Sequence, residues 1–139
     1  MEDFIYLMKT IPLRKDVKQS DKWDLTSLFK TEQDWEVSLS KITEIANKIS
    51  EYQGQIKDSA QKMLEVLKLN EQMEQIAESV GSYAFLLTTT DAGDSTYQDK
   101  QGRYMMAAVE AQTKTCFIVT EIQEIPEEEL KTRMNLPDY

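Results

Sequence analysis

The chain contains no histidine and a single cysteine, Cys116. Without an imidazole there is no Ser-His-Asp or Cys-His nucleophile arrangement, because a hydroxyl or thiol needs a neighbouring base to be activated at neutral pH. The same absence removes every His-bearing zinc site, the H-E-x-x-H pattern included. One cysteine makes neither an intrachain disulfide nor a Cys-rich metal site. Cys116 lies two residues from Lys114 in an apolar-rich helical stretch and reads as an inert, half-buried thiol. The remaining reactive groups are carboxylates and phenols. Asp91 and Asp94 stand three apart in the loop Asp91-Ala92-Gly93-Asp94-Ser95, a spacing that lets two carboxylates share a hard cation. The Asp-x-Asp-x-Asp-Gly register and later Glu of an EF-hand are missing, so they read as a polar connector and a helix cap. Glu127, Glu128 and Glu129 read as the charged start of a helix rather than a metal site. A glycosidase-type pair of acids needs no histidine, but no two acids stand out here. Gly102 belongs to no glycine-rich phosphate loop. Tyr83, Tyr97 and Tyr104 fall on apolar stripes and read as core and helix-contact residues. No catalytic, cofactor-binding or metal-ligating residue is assigned.

The elements that would position these groups are helices. A chain of 139 residues supplies one domain, burying about two-thirds of the surface it exposes when unfolded. Four Gly and three Pro allow few turns, which disfavours a β-sandwich or barrel. Residues 1–30 read as an extended N-terminal arm, in which Trp23, Leu25, Leu28 and Phe29 would strap the arm onto a helical core. Residues 31–139 read as an antiparallel bundle of four to five helices. Thr31 is placed to cap the first helix by accepting from the amide of Gln33 or Asp34. Trp35, Leu39, Ile42, Ile45, Ile49 and Tyr52 then recur three or four residues apart on one stripe, and Gly54 suits a left-handed terminus. Asp58 or Ser59 caps a second helix carrying Ala60, Met63, Leu64 and Leu67. Asn70 separates it from a third pattern, Met73, Ile76, Ala77, Val80, Tyr83, Ala84 and Leu87, which frays at Thr88-Thr89-Thr90. Asp94 or Ser95 opens a fourth long helix with Tyr97, Tyr104, Ala108, Ala111, Thr115, Ile118 and Ile122 on its face. Ile125-Pro126-Glu127 starts a short fifth helix ending near Met134. No strand-type alternation competes.

The formal net charge is −9 and the pI near 4.6. An acidic surface repels a phosphate backbone, so no nucleic-acid partner is expected, and no basic face offers itself to a membrane. The apolar run Phe4–Met8 is too short, and too acidic in its flank at Glu2 and Asp3, for a signal peptide. Met8 opens a more ordinary start, so residues 1–7 read as an extension. The low cysteine usage fits a reducing compartment, the cytoplasm.

The order of pieces is also specific. Pro12-Leu13-Arg14-Lys15-Asp16-Val17, then Lys22-Trp23-Asp24-Leu25-Thr26-Ser27-Leu28-Phe29, then Trp35 opening a long helix, resembles the start of oligoendopeptidase F, whose opening reads W-D-L-x-x-L-F. Tyr52-Gln53-Gly54-Gln55 resembles that family's Y-x-G-K-L helix end. Ser82-Tyr83-Ala84, followed by Asp91, Asp94, Tyr97-Gln98 and Gly102-Arg103, resembles its third and fourth helices. Ile125-Pro126-Glu127-Glu128-Glu129-Leu130 resembles its I-P-E-E-x-L close. The resemblance runs from about Pro12 to the end of the chain. Each motif is short; five in the right order are far more specific together.

The resemblance implies a cytoplasmic zinc metallopeptidase family that cuts oligopeptides, with its H-E-x-x-H far downstream in a separate helical domain. None of its zinc ligands or its general base has a matching position here. The chain is therefore expected to be the non-catalytic N-terminal domain, a fragment that shapes or covers the peptide-substrate channel. It would hold no cofactor, with zinc in the missing catalytic domain. Its expected partners are that catalytic domain and, in the full-length protein, an oligopeptide substrate. Once detached, it would expose an apolar patch and self-associate. The alternative is a free-standing helical protein-interaction module that binds a partner helix in a groove.

Overall fold

The computed structural model describes residues 12–137; the apolar run Phe4–Met8 and the extension expected at residues 1–7 lie outside the described residues. Among the described residues there are five α-helices and no strand, as the sequence predicts: α1 Glu32–Ser50, α2 Ala60–Thr90, α3 Ser95–Thr115, α4 Phe117–Gln123 and α5 Glu127–Met134. None of them is long and apolar enough to cross a membrane. Among the described residues, three single turns of 3-10 helix lie in the arm ahead of α1, and a fourth, Ile56–Asp58, joins α1 to α2.

Local signals set the ends. The Thr31 hydroxyl accepts from the Asp34 amide while the Asp34 carboxylate accepts from the Thr31 amide, a reciprocal cap on α1. Ser59 caps α2 and Asp94 caps α3. Gly54 turns the chain with φ +81°, a conformation that a Cβ would strain. The last three threonines of α2 each return a hydroxyl to a carbonyl one turn back, at 2.7 Å, and the helix stops there.

α1, α2 and α3 pack on one another in an up-down-up arrangement. The start of α1 meets the far half of α2, where the Trp35 indole donates to the carbonyl of Val80 (3.1 Å). It also meets the start of α3, where Lys100 sits over the Trp35 ring. Trp35, Ile42, Ile49, Ile56, Val66 and Val80 are the largest fully buried side chains. Gly81 is a packing glycine: a Cβ there would stand 2.4 Å from Tyr104 Cζ. The absent side chain lets the Tyr104 ring lie directly on α2.

Three expectations change. Asn70 does not divide the second and third patterns; its amide donates to Glu74 (2.9 Å) on the helix surface, and α2 runs unbroken through both. The fourth pattern is divided instead, at Cys116. Thr113, Thr115 and Cys116 all bond back to carbonyls within one turn, an arrangement that competes with the helical ladder. The backbone at Cys116 stays near helical (φ −59°, ψ −23°), so α4 continues close to the direction of α3. The arm, finally, is strapped only at its end. Phe29 meets Tyr83 edge-to-face, centroids 5.4 Å apart, whereas Trp23 is 80% exposed.

Candidate functional site

The residues singled out for chemistry are scattered, and each is occupied locally. Asp94 accepts from the amides of Thr96 (2.8 Å) and Tyr97 (3.3 Å), and Asp91 from the amide of Gly93 (3.1 Å). Glu127 and Glu128 pair with Lys131, and Glu129 with Arg133, all within α5. Tyr83 is half-buried against Phe29, and burial pushes its phenol up from the ordinary value. Cys116 is exposed rather than half-buried, because its helical register places it on the outer side with Gln98 and Val109; its thiol donates to the Thr113 carbonyl (3.2 Å). Among the described residues, no group of three or more His, Cys, Asp or Glu side chains comes together as a metal site would require.

Two polar clusters form that the sequence did not reveal. In the first, Lys100 is 4% exposed with Nζ 4.5 Å from the Trp35 ring centroid and 3.6 Å from Glu32, and the Arg103 guanidinium lies 5.5 Å from the same ring. Arg103 grips both oxygens of Glu36, which holds that carboxyl below the usual carboxylate range and raises the guanidinium in turn. In the second, the chain between α1 and α2 is held from both sides. Buried Glu121 on α4 accepts from the amides of Gly54 and Ile56, and buried Arg133 on α5 donates to the carbonyls of Ile56 (3.1 Å) and Lys57 (2.7 Å). Both clusters lock helices together; neither presents a base or nucleophile to a cavity.

The remaining feature is a surface. α3 and α4 turn an uncharged face outward. Its apolar members are Met105, Met106, Val109, Cys116 and Val119, all exposed. Gln98, Gly102, Gln112, Thr113 and Thr120 fill the positions between them, equally exposed. At 100° per residue these ten fall within one helical arc. Charges begin only at its edge, where Glu110 is paired with Lys114 (2.6 Å). A shallow depression of 600 Å³ lies over Met105, Met106 and Val109. The signal was present in the sequence as a second apolar repeat in the fourth pattern, on the side opposite the stripe that builds the core.

The chain is similar to oligopeptidase PepF of Bacillus subtilis (strain 168), with 30% identity over 124 residues, covering 87% of this chain and 18% of that protein. It is similar to group B oligopeptidase PepB of Streptococcus agalactiae serotype III (strain NEM316), with 23% identity over 126 residues, 90% of this chain and 21% of that protein. It is also similar to the chromosomal oligoendopeptidase F of Lactococcus lactis subsp. cremoris, with 31% identity over 91 residues, 65% of this chain and 15% of that protein. No family model matches the chain, and no solved structure matches it significantly. The chain spans 15–21% of the length of the curated relatives it matches.

Proposed function

We propose, from the premise that this chain is an oligoendopeptidase F-related domain, that it serves as the non-catalytic N-terminal helical domain of a zinc metallopeptidase of that kind. It shapes or covers the channel that takes up a peptide substrate, and it works in the cytoplasm. The observation that carries this reading is a pairing. The chain matches 15–21% of each oligopeptidase named, and it contains no histidine. Water activation by zinc requires ligands and a base that must then come from elsewhere in such a protein. The domain's contribution is steric: a packed three-helix wall, braced by Arg103–Glu36 and by the Glu121 and Arg133 grips, narrows a channel to the width of an extended chain.

The purified chain, supplied with zinc and quenched-fluorescent oligopeptides, is expected to show no turnover. Chelator-sensitive cleavage by the chain alone would overturn the proposal. Exposure of the uncharged α3–α4 face favours a second reading, a free-standing helical interaction module. The DNA downstream separates the two. An in-frame H-E-x-x-H supports the peptidase domain, and an unrelated gene directly behind a stop supports the module.

A further inference from the structure

We propose that the cleft between α2 and α3 binds a primary ammonium carried on a short apolar stem, a free amine or the lysine side chain of a peptide. The site lies wholly within this helical domain, so it stands or falls independently of the function proposed above. Beside the cleft, the Tyr104 ring lies on Gly81 and fills the space between the two helices. One turn further along α3, the residues that meet α2 are Ala108 and Ala111. α2 answers with Ala77, so these positions supply no side chain large enough to fill the gap. Buried Ile42 of α1 and buried Met73 line it as well. The cleft measures 250 Å³. A dry apolar cavity of about 150 Å³ takes up benzene, so there is room here for a phenyl ring or an alkyl stem of similar bulk.

Two polar groups decide the occupant. Thr115 lines the cleft at 9% exposure. Its hydroxyl donates only to the Gln112 carbonyl, at 3.5 Å, the outer limit of a hydrogen bond, and no donor among the described residues reaches its oxygen. Glu74 stands at the exposed rim, where its carboxylate accepts from the Asn70 amide (2.9 Å) and pairs with no cation among the described residues. No lysine or arginine lines the cleft. The set is therefore one of acceptors over an apolar floor. An anionic ligand would meet Glu74 with nothing to neutralise either charge. A hydrocarbon would leave the buried hydroxyl as poorly partnered as it is now. An ammonium has three donors and no acceptor, which matches this set, and its stem lies along the alanines. The chain's net charge of −9 favours the approach of a cation.

The test follows the alanine methyls of the 139-residue chain by NMR as phenylpropylamine is added. Ala77, Ala108 and Ala111 are expected to shift saturably, with a Kd of about 1 mM for a ligand of this size, while buried Ala46 and Ala84 stay in place. Phenylpropanol, of the same shape without the charge, should bind about fivefold more weakly, the upper end for an exposed ion pair. Glu74→Gln should bring the amine down to the alcohol's affinity. Ala108→Leu should remove both by filling the cleft, and Glu74→Gln, a surface change, decides the matter if the leucine unfolds the bundle. A pentapeptide with a central lysine, and the same peptide acetylated on that lysine, identify the source. Shifts at the same methyls that acetylation abolishes assign the site to peptide lysines, and shifts with phenylpropylamine alone assign it to a free amine; either supports the proposal. Equal affinity for amine and alcohol, shifts that do not saturate, or shifts that spread to Ala46 and Ala84 would overturn it, and each would leave the proposed function untouched.

Discussion

Trp35 shows how one side chain organises its surroundings. It is fully buried, its N–H is satisfied by Val80, and its ring carries the cations Lys100 and Arg103. Arg103 is in turn spent on Glu36, and this pair makes the acid stability of the fold partly its own. The folded carboxyl lies below the ordinary value of about 4.3 that it regains on unfolding. Its contribution is complete above that value and is lost as pH falls through the folded one. Urea midpoints of the wild type and Glu36→Gln should therefore differ at neutral pH and converge as pH drops below about 4. Parallel curves would remove Glu36 from the account. Gly81→Ala tests packing at the same scale. The added methyl collides with the Tyr104 ring, and a loss of about 1–3 kcal/mol is expected, with Tyr104→Leu relieving part of it. Thermal melts of the single and double variants decide. Residue-scale features that depend on near neighbours were legible in the sequence: the Thr31 and Asp94 caps and the turn at Gly54 all follow from residues within one turn. The burial of Lys100 was not legible, because its aromatic partner is distant in the chain and no local pattern announces it.

Among the elements, α4 and α5 are short helices that could not stand alone. They are secured by the segment between α1 and α2, whose amides face Glu121 and whose carbonyls face Arg133. Arg133→Met keeps the volume and removes the donors. It leaves the buried carbonyl of Ile56 and the part-buried carbonyl of Lys57 without their donor, an expected loss of about 1–3 kcal/mol. Hydrogen exchange should quicken across α5 and at the amides of Gly54 and Ile56 while the centre of α1 stays protected. Uniform acceleration would mean that α5 is an integral part of the bundle rather than a latched one. Helix existence and the buried faces were readable because apolar spacing reports them directly. The continuity of α2 was not. Asn70 carries a breaker's propensity, but its side chain finds Glu74 four residues on, and one helix carries both stripes on different faces, roughly 150° apart at 100° per residue. The hitch at Cys116 was equally hidden, since hydroxyls and thiols that bond back along a helix leave no trace in hydrophobic periodicity.

At the level of the whole molecule, the all-α class followed from scarce glycine and proline together with clean helical stripes. The kinship to oligoendopeptidase F followed from ordered short motifs, and the relatives bear it out. The α3–α4 face escaped notice because an apolar stripe is first read as core, and a helix with two such stripes has only one core to meet. The two tryptophans give the molecule one more property. Trp35 is sealed inside the bundle and Trp23 stands in water on the arm. Intrinsic fluorescence should therefore contain a blue-shifted component inaccessible to iodide and a red-shifted one that iodide quenches freely. Without any label, the emission of a single sample would report melting of the helices and movement of the arm as separate signals, and capture of the arm by a larger assembly would dim the quenchable component alone.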